Sequence, residues 1–324
     1  MEMACGGGPP LEGAAGGQRQ NISCFKKEKR KMESAYQIFT DITTDLTAEW
    51  MAANHVIWLF HGLVIDGKEV KDDFGKSVPR DVYYERLRQG MKPTTTHVDM
   101  PTFIENFEKA LQAGKDVLYV AVSGKLSGSL NTYPIAAEEL RAKYPDRRIE
   151  AFDTCAISMG QGLIVMKVVE MQRQGYTMDQ VLEQLPRLRD TTCHFFTVDD
   201  LNHLYRGGRL SRSSALMGSL MGIKPVMYVT NDGALQPLSK IRGRRQAIEE
   251  LARLVKEHAE DPQNQTIYIG HADCQEDAEY LAELVREQTQ PQAVDVRFLA
   301  PVIGAHAGPG TLAIFCAGQS RLKK

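Results

Sequence analysis

The chain has 324 residues, more than the ~250–300 that one core usually serves, so two domains or one deeply clefted unit are expected. Hydrophobic residues make up 43% and charged residues 25%, and 39 basic against 41 acidic residues leave a net charge of -2, which excludes a bulk field for nucleic acid or an anionic membrane. Cys5, Cys24, Cys155, Cys193, Cys274 and Cys316 form no CxxC pair and no zinc-finger spacing with histidine, and no stretch reaches the ~18 apolar residues of a membrane span, so a reduced, cytoplasmic protein without metal is expected.

Residues 1–31 are rich in Gly, Ala and Pro and end in the basic run Lys26–Lys31. Their composition cannot bury a core, and they are expected to be a disordered extension, with Met32 as an alternative start. Tyr36–Thr40 reads as a buried strand meeting the polar turn Thr40-Asp41, and Asp45-Leu46 as the opening of a helix through Met51. Val56–Val64 reads as one strand before the turn Asp66-Gly67, Val82–Gln89 as a helix, and Phe103–Ala113 as a helix stopped by Gly114. Val117–Val122 has the continuous apolar character of a parallel-sheet strand. A glycine-bearing loop, a helix through Lys143, a strand at Ile149–Phe152 and a helix at Ser158–Arg173 follow. This alternation predicts a doubly wound, mostly parallel sheet, with ligands beyond the carboxyl ends of its strands. Three polar segments fall at such ends: Thr40-Asp41, Ser123–Ser129 and Asp153-Thr154.

After a helix at Met178–Leu188 the pattern restarts, with a domain boundary placed near residue 190. Residues 33–190 form the first α/β domain and 191–324 a second. The second holds strands at His194–Val198, Pro225–Val229, Ile267–His271, Val294–Leu299 and Thr311–Phe315. Its helices are Leu201–Tyr205, Ser213–Gly222, Arg244–Ala259 and Asp277–Glu287, and Asn231-Asp232-Gly233 is a hairpin-type turn.

Five segments carry candidate chemistry. Pro93-Thr94-Thr95-Thr96-His97 offers uncharged hydroxyl donors, although alone it reads as a solvated loop and helix N-cap. Ser123-Gly124-Lys125-Leu126-Ser127-Gly128-Ser129 follows the strongest strand and opens a helix, a setting that favours an anion. A serine-capped helix explains it equally, and it is neither a Walker A loop nor GxGxxG. Arg206-Gly207-Gly208-Arg209 sets guanidinium groups around a flexible turn and suits a carboxylate or phosphate, or a plain glycine C-cap. Lys240-Ile241-Arg242-Gly243-Arg244-Arg245 is a local basic patch, either a docking surface or a solvated helix start whose cations oppose the dipole. His306, flanked by Gly304 and Gly308-Pro309-Gly310, reads as a histidine in a tight loop, able to bond a ligand or serve as a satisfied core residue.

In this order the segments resemble the DegV family of bacterial fatty-acid-binding proteins. The resemblance runs from Ala35 to the C-terminus through Thr40-Asp41-Ile42-Thr43-Thr44-Asp45-Leu46, Pro93-Thr94-Thr95-Thr96, Leu126-Ser127-Gly128-Ser129, Asp153-Thr154, Gly160-Gln161-Gly162, Tyr205–Ser211, Ile223-Lys224-Pro225 and Gly304–Gly310. It implies a two-domain α/β fold with a long-chain fatty acid between the domains. Thr95 and Ser127, with Thr96, would hold the carboxylate. Arg209 and His306 would lie where a phosphate is added. The partner it implies is a separate dihydroxyacetone-kinase-like fatty acid kinase, which supplies ATP and catalysis while this chain carries the acyl group without being an enzyme or needing a cofactor. Ile42 stands where the family has serine, and Thr96-His97-Val98 where it has Ser-Gln-Pro. Arg242, Arg244 and Arg245 are the expected kinase-docking residues, and Leu216–Met221 a candidate tail lining. The competing readings are a small-molecule kinase of related fold, which the lack of a Walker loop disfavours, and a non-catalytic regulatory module.

Overall fold

A computed structural model describes residues 35–211 and 222–322. The expected disordered extension, the helix Ser213–Gly222 and the tail lining Leu216–Met221 lie outside the described residues, save for Gly222 itself. The described residues pack as one compact unit built on three sheets.

The first sheet contains β1 (Tyr36–Asp41), β2 (Ile57–Leu59), β6 (Asp116–Ala121) and β7 (Ile149–Asp153). It runs in the order β2-β1-β6-β7, with every pair parallel. The order reverses direction between β1 and β6, which makes the carboxyl end of that gap the natural ligand site. Helices α3 (Met100–Gln112) and α4 (Ser129–Lys143) cover one face, where Phe103, Phe107, Tyr119 and Tyr133 pack with ring centroids 5.2–6.3 Å apart.

The chain then crosses through α5 (Met159–Arg173) and α6 (Met178–Thr191) to a six-stranded mixed sheet. Residue 190 lies within α6. The order is β10 (Leu235–Arg242), β9 (Ile223–Val229), β8 (Thr192–Thr197), β13 (Leu312–Ala317), β11 (Thr266–His271) and β12 (Ala293–Phe298). Only β11 and β12 pair in parallel. The last strand in sequence, β13, therefore sits inside the sheet. Helices α8 (Arg244–His258) and α9 (Gln275–Thr289) cover the outer face. The inner face shares one core with the first sheet: Ile164, Val165 and Val168 of α5 lie with Leu118 and Val120 on one side and Phe196 and Phe315 on the other. Glycines permit this close fit, since a Cβ at Gly160 would fall 1.8 Å from His194 Nε2 and one at Gly162 2.8 Å from the Thr44 carbonyl.

Several expectations change. Val56–Val64 is two strands, because the chain breaks at Phe60-His61 and β3 (Gly62–Ile65) joins a separate antiparallel sheet with β4 (Lys68–Lys71) and β5 (Thr94–Thr95). Asp45 is not inside a helix. A 3-10 turn at Ile42–Thr44 ends there at φ 54, and α1 (Ala48–Ala53) starts after the Thr47 cap. The loop expected around His306 is a helix, α10 (Pro301–Ala307), begun by a proline in its first turn and ended by Gly308 at φ 82. Gly304 belongs inside that helix because a Cβ there would meet the Tyr84 ring, 2.4 Å from its oxygen. The hairpin at Asn231–Gly233 is present, and its return strand β10 adds to the reading.

Candidate functional site

The three polar strand ends meet as the switch point requires. Asp41, at the end of β1, accepts from Val122 N at 2.8 Å, just past β6. Asp153, at the end of β7, accepts from Gly124 N at 3.2 Å and Cys155 N at 2.8 Å. Ser123 Oγ donates to the Gly233 carbonyl at 2.9 Å, which ties the tip of the β9–β10 hairpin to this corner.

Beside this corner opens a cavity enclosing about 950 Å3 of empty space, its open mouth included. Thr95, Thr96, Ser127, Arg209 and His306 all line it. The chain thus brings five sequence-nominated residues to one place from four elements. Thr95 arrives on β5, paired to Leu63 of β3. Its Oγ1 lies 2.8 Å from His306 Nε2 on α10. Ser127 stands before α4, its Oγ 3.0 Å from that of Ser129, which accepts from Val98 N. The cap residue of α4 is Gly128, with no side-chain cap, so the plain serine-capped helix does not account for this segment. Thr96 is turned to the rim, where its Oγ1 accepts from Gly62 N at 3.1 Å and donates to Glu69 at 3.3 Å.

Arg209 follows α7 (Asn202–Arg206). Its Nε donates to the Leu126 carbonyl at 2.8 Å and its Nη1 to the Gly207 carbonyl at 2.5 Å. These carbonyls aim the guanidinium without neutralising it, and burial alone lowers its proton affinity. His306 is held neutral: burial and then the charge of Arg209 push its pKa down to about 4. Its Nδ1 is buried and without a partner. The two glycines of the Arg-Gly-Gly-Arg motif do different jobs. A Cβ at Gly207 would fall 2.2 Å from His306 Nδ1, whereas Gly208 has open space and a φ of +73. Beyond the polar cluster the walls come from Phe196, Leu204, Ile303, Ala313 and Phe315.

Several polar lining residues, among them Ser158, His194, His61 and Thr43, were not among the nominated site residues, and the last two form one network. His61 is buried and its Nε2 donates to Asp41 Oδ1 at 3.3 Å. Thr43 donates to Gln161 Oε1 at 2.7 Å. Both belong to a buried network on Asp41, which also accepts from Tyr119 OH at 2.6 Å and Gln161 Nε2 at 3.1 Å. Sequence spacing gives no sign of the His61–Asp41 pair, since the two come together only through β1–β2 pairing.

The basic patch is heterogeneous. Arg244 bonds Asp277 at 2.8 Å and lies 3.7 Å from Asp199, so its charge is answered within the fold. Arg245 is exposed, 4.6 Å over the Tyr280 ring and 3.4 Å from Glu249. Arg242 is exposed at the end of β10. Among the described residues no group of three or more His, Cys, Asp or Glu side chains could hold a metal, and no helix is long and apolar enough to cross a membrane.

Residues 35–319 match the model of the DegV family, described as an uncharacterised protein family. A DegV domain-containing protein of Clostridium perfringens is 38% identical over 288 residues, 88% of this chain and 98% of that protein. A DegV family protein from Thermus thermophilus, whose structure is described by its fatty acid binding, superposes with a TM-score of 0.80 at 27% identity, covering 88% of this chain and 99% of that one. A fatty acid binding DegV family protein of Streptococcus agalactiae superposes at 0.77 with 26% identity, covering 89% and 100%.

Proposed function

The chain belongs to the DegV family, and on that premise we propose that it binds a long-chain fatty acid in this cavity and presents the carboxylate to a separate ATP-dependent kinase for acyl-phosphate formation. One observation carries the reading: an apolar cavity that opens onto neutral hydroxyls, a neutral histidine and one carbonyl-aimed arginine. Burying about 16 methylenes at ~0.8 kcal/mol each favours the tail, and a buried carboxylate needs donors. Thr95 and Ser127, with Thr96 at the rim, supply them. Arg209 and His306 stand beside them as the pair for a phosphate, which carries more charge and more acceptor oxygens than a carboxylate. The exposed Arg242 and Arg245, with the internally paired Arg244, form the docking face for the kinase, a cytoplasmic partner in this scheme. The chain acts as acyl carrier and the kinase as enzyme.

Native mass spectrometry of the purified protein tests the first half, with a co-purified C14–C18 fatty acid as the expected mass. A protein that stays empty after incubation with such acids overturns it. Incubation of the loaded protein with a cognate fatty acid kinase and ATP tests the second half, with acyl-phosphate as the product sought.

A further inference from the structure

His61 is absent from the head-group assignment above, yet its ring lines the same cavity as Thr95, Ser127, Arg209 and His306. Behind it Asp41 is completely buried and fixed independently of it, by Tyr119 OH at 2.6 Å, Val122 N at 2.8 Å and Gln161 Nε2 at 3.1 Å. A carboxylate only accepts, so the His61 nitrogen facing Asp41 carries a hydrogen: Nε2–H donates to Oδ1 at 3.3 Å. In neutral imidazole the other nitrogen, Nδ1, is then a bare acceptor. No described residue bonds it, and the ring borders the cavity.

We propose that His61 is a further head-group contact, bridging Asp41 and the carboxylate of the bound acyl chain, so that loading the cavity takes up one proton from solvent. The proposal rests on the fatty-acid reading and deepens it. A carboxylate oxygen set against a bare nitrogen lone pair is repelled unless a proton lies between them. Either the ring becomes imidazolium and donates from both nitrogens, or the ligand becomes a carboxylic acid and donates to Nδ1. Both forms contain one proton more than neutral imidazole plus free carboxylate, so the stoichiometry is the same. The imidazolium form would sit between two carboxylates, the arrangement that most favours it.

The titratable and charged groups around His61 are Asp41 on β1, Tyr119 on β6, Glu69 on β4 and Asp72 beyond it, and His306 on α10, with His97, His194 and Arg209 at the cavity wall. Asp72 is directed elsewhere, accepting from Val302 N at 2.9 Å. The Tyr119 hydroxyl is held protonated by burial and by Asp41. The competing proton acceptors in the lining include His306 and His194: burial and then the charge of Arg209 oppose protonation of His306, and burial and then the charge of Arg321 oppose that of His194.

The test uses full-length protein freed of lipid and titrated with sodium dodecanoate below its micelle concentration. Calorimetry at pH 7.5 in phosphate and in Tris, whose ionisation enthalpies differ, counts the protons exchanged. The wild-type protein is expected to take up about one proton per dodecanoate, with an association constant falling about tenfold per pH unit between pH 7 and 9. The His61→Gln variant keeps an amide donor for Asp41 and is expected to bind with a proton count near zero and a flat pH profile. Binding by wild type without proton uptake overturns the proposal while leaving the fatty-acid reading intact. Unchanged uptake in folded His61→Gln also overturns it, since the proton then goes elsewhere. No binding of dodecanoate or longer acids by wild type defeats the fatty-acid reading itself.

Discussion

Adding one methyl group at Gly207 should reveal whether the His306 position controls ligand binding. Gly207 follows α7 with φ -71, a backbone that alanine adopts without strain. The only obstacle is steric. The new Cβ would lie 2.2 Å from His306 Nδ1 against an ordinary contact of 3.4 Å, so the ring must retreat by the difference, about 1.2 Å. A displacement of that size moves Nε2 out of its 2.8 Å geometry with Thr95 Oγ1, which a hydrogen bond does not survive. Overpacking costs ~1–3 kcal/mol and the lost bond ~1 kcal/mol. Gly207→Ala should therefore melt several degrees lower and bind dodecanoate about tenfold more weakly. Gly208→Ala is the control: at φ +73 with nothing within 4 Å, it carries backbone strain of ~1–2 kcal/mol but touches no site residue. It should lose melting temperature and keep its affinity. Calorimetric titration with thermal melts on both variants decides the matter. If Gly207→Ala binds as tightly as Gly208→Ala, His306 does not govern the head-group site.

Three further outcomes are expected. Thr95→Ala combined with Ser127→Ala should lower retention of co-purified fatty acid, at ~1–3 kcal/mol for each carboxylate contact left unmade; equal occupancy by native mass spectrometry in the folded double mutant would contradict this. Arg209→Ala and His306→Ala should still co-purify with lipid, His306→Ala with the lowered affinity expected of Gly207→Ala, but support little acyl-phosphate formation with a cognate kinase, and wild-type turnover by both would require the phosphate site to be built elsewhere. Buried Asp45 accepts from Ser158 Oγ and Ala300 N, and burial raises its pKa from 3.8 to about 6; the folded state then binds the proton more tightly than the unfolded one, so its contribution falls as pH rises from about 4 to 6, by ~3 kcal/mol in all. Urea midpoints across that range should drop less steeply in Asp45→Asn than in wild type, and parallel slopes would dismiss the effect.

The sequence made the frame of the first sheet readable because β6 is a continuous apolar run and β1 and β7 are short, mostly apolar segments with polar ends, and those ends do converge through Asp41, Ser123 and Asp153. Elements whose local signal opposes their structure were not readable. Strand β10 carries a proline and two cations on an edge, and α10 contains a glycine whose reason is a tyrosine ring more than 200 residues away. The site divides in the same way. Residues alone indicated an anion-favouring cleft, and the family resemblance nominated Thr95, Ser127, Arg209 and His306, which the fold gathers around one cavity. His61 escaped both routes, since its partner Asp41 is met only across a strand pair and its own flanks, Phe60 and Gly62, carry no ligand pattern.

The place of β13 has a consequence for biosynthesis. Of the described strands it is made after all the others, yet it fills the slot between β8 and β11. Until it arrives, both strands expose unpaired backbone along edges that the finished protein conceals, and Phe196 lacks the neighbouring wall of Ala313. A nascent chain stalled before residue 312 would thus have a split second sheet and an unfinished cavity, a state prone to edge-to-edge association. On the proposed fatty-acid reading, a tail can be housed only once β13 has been made, so loading would follow synthesis of that strand rather than precede it.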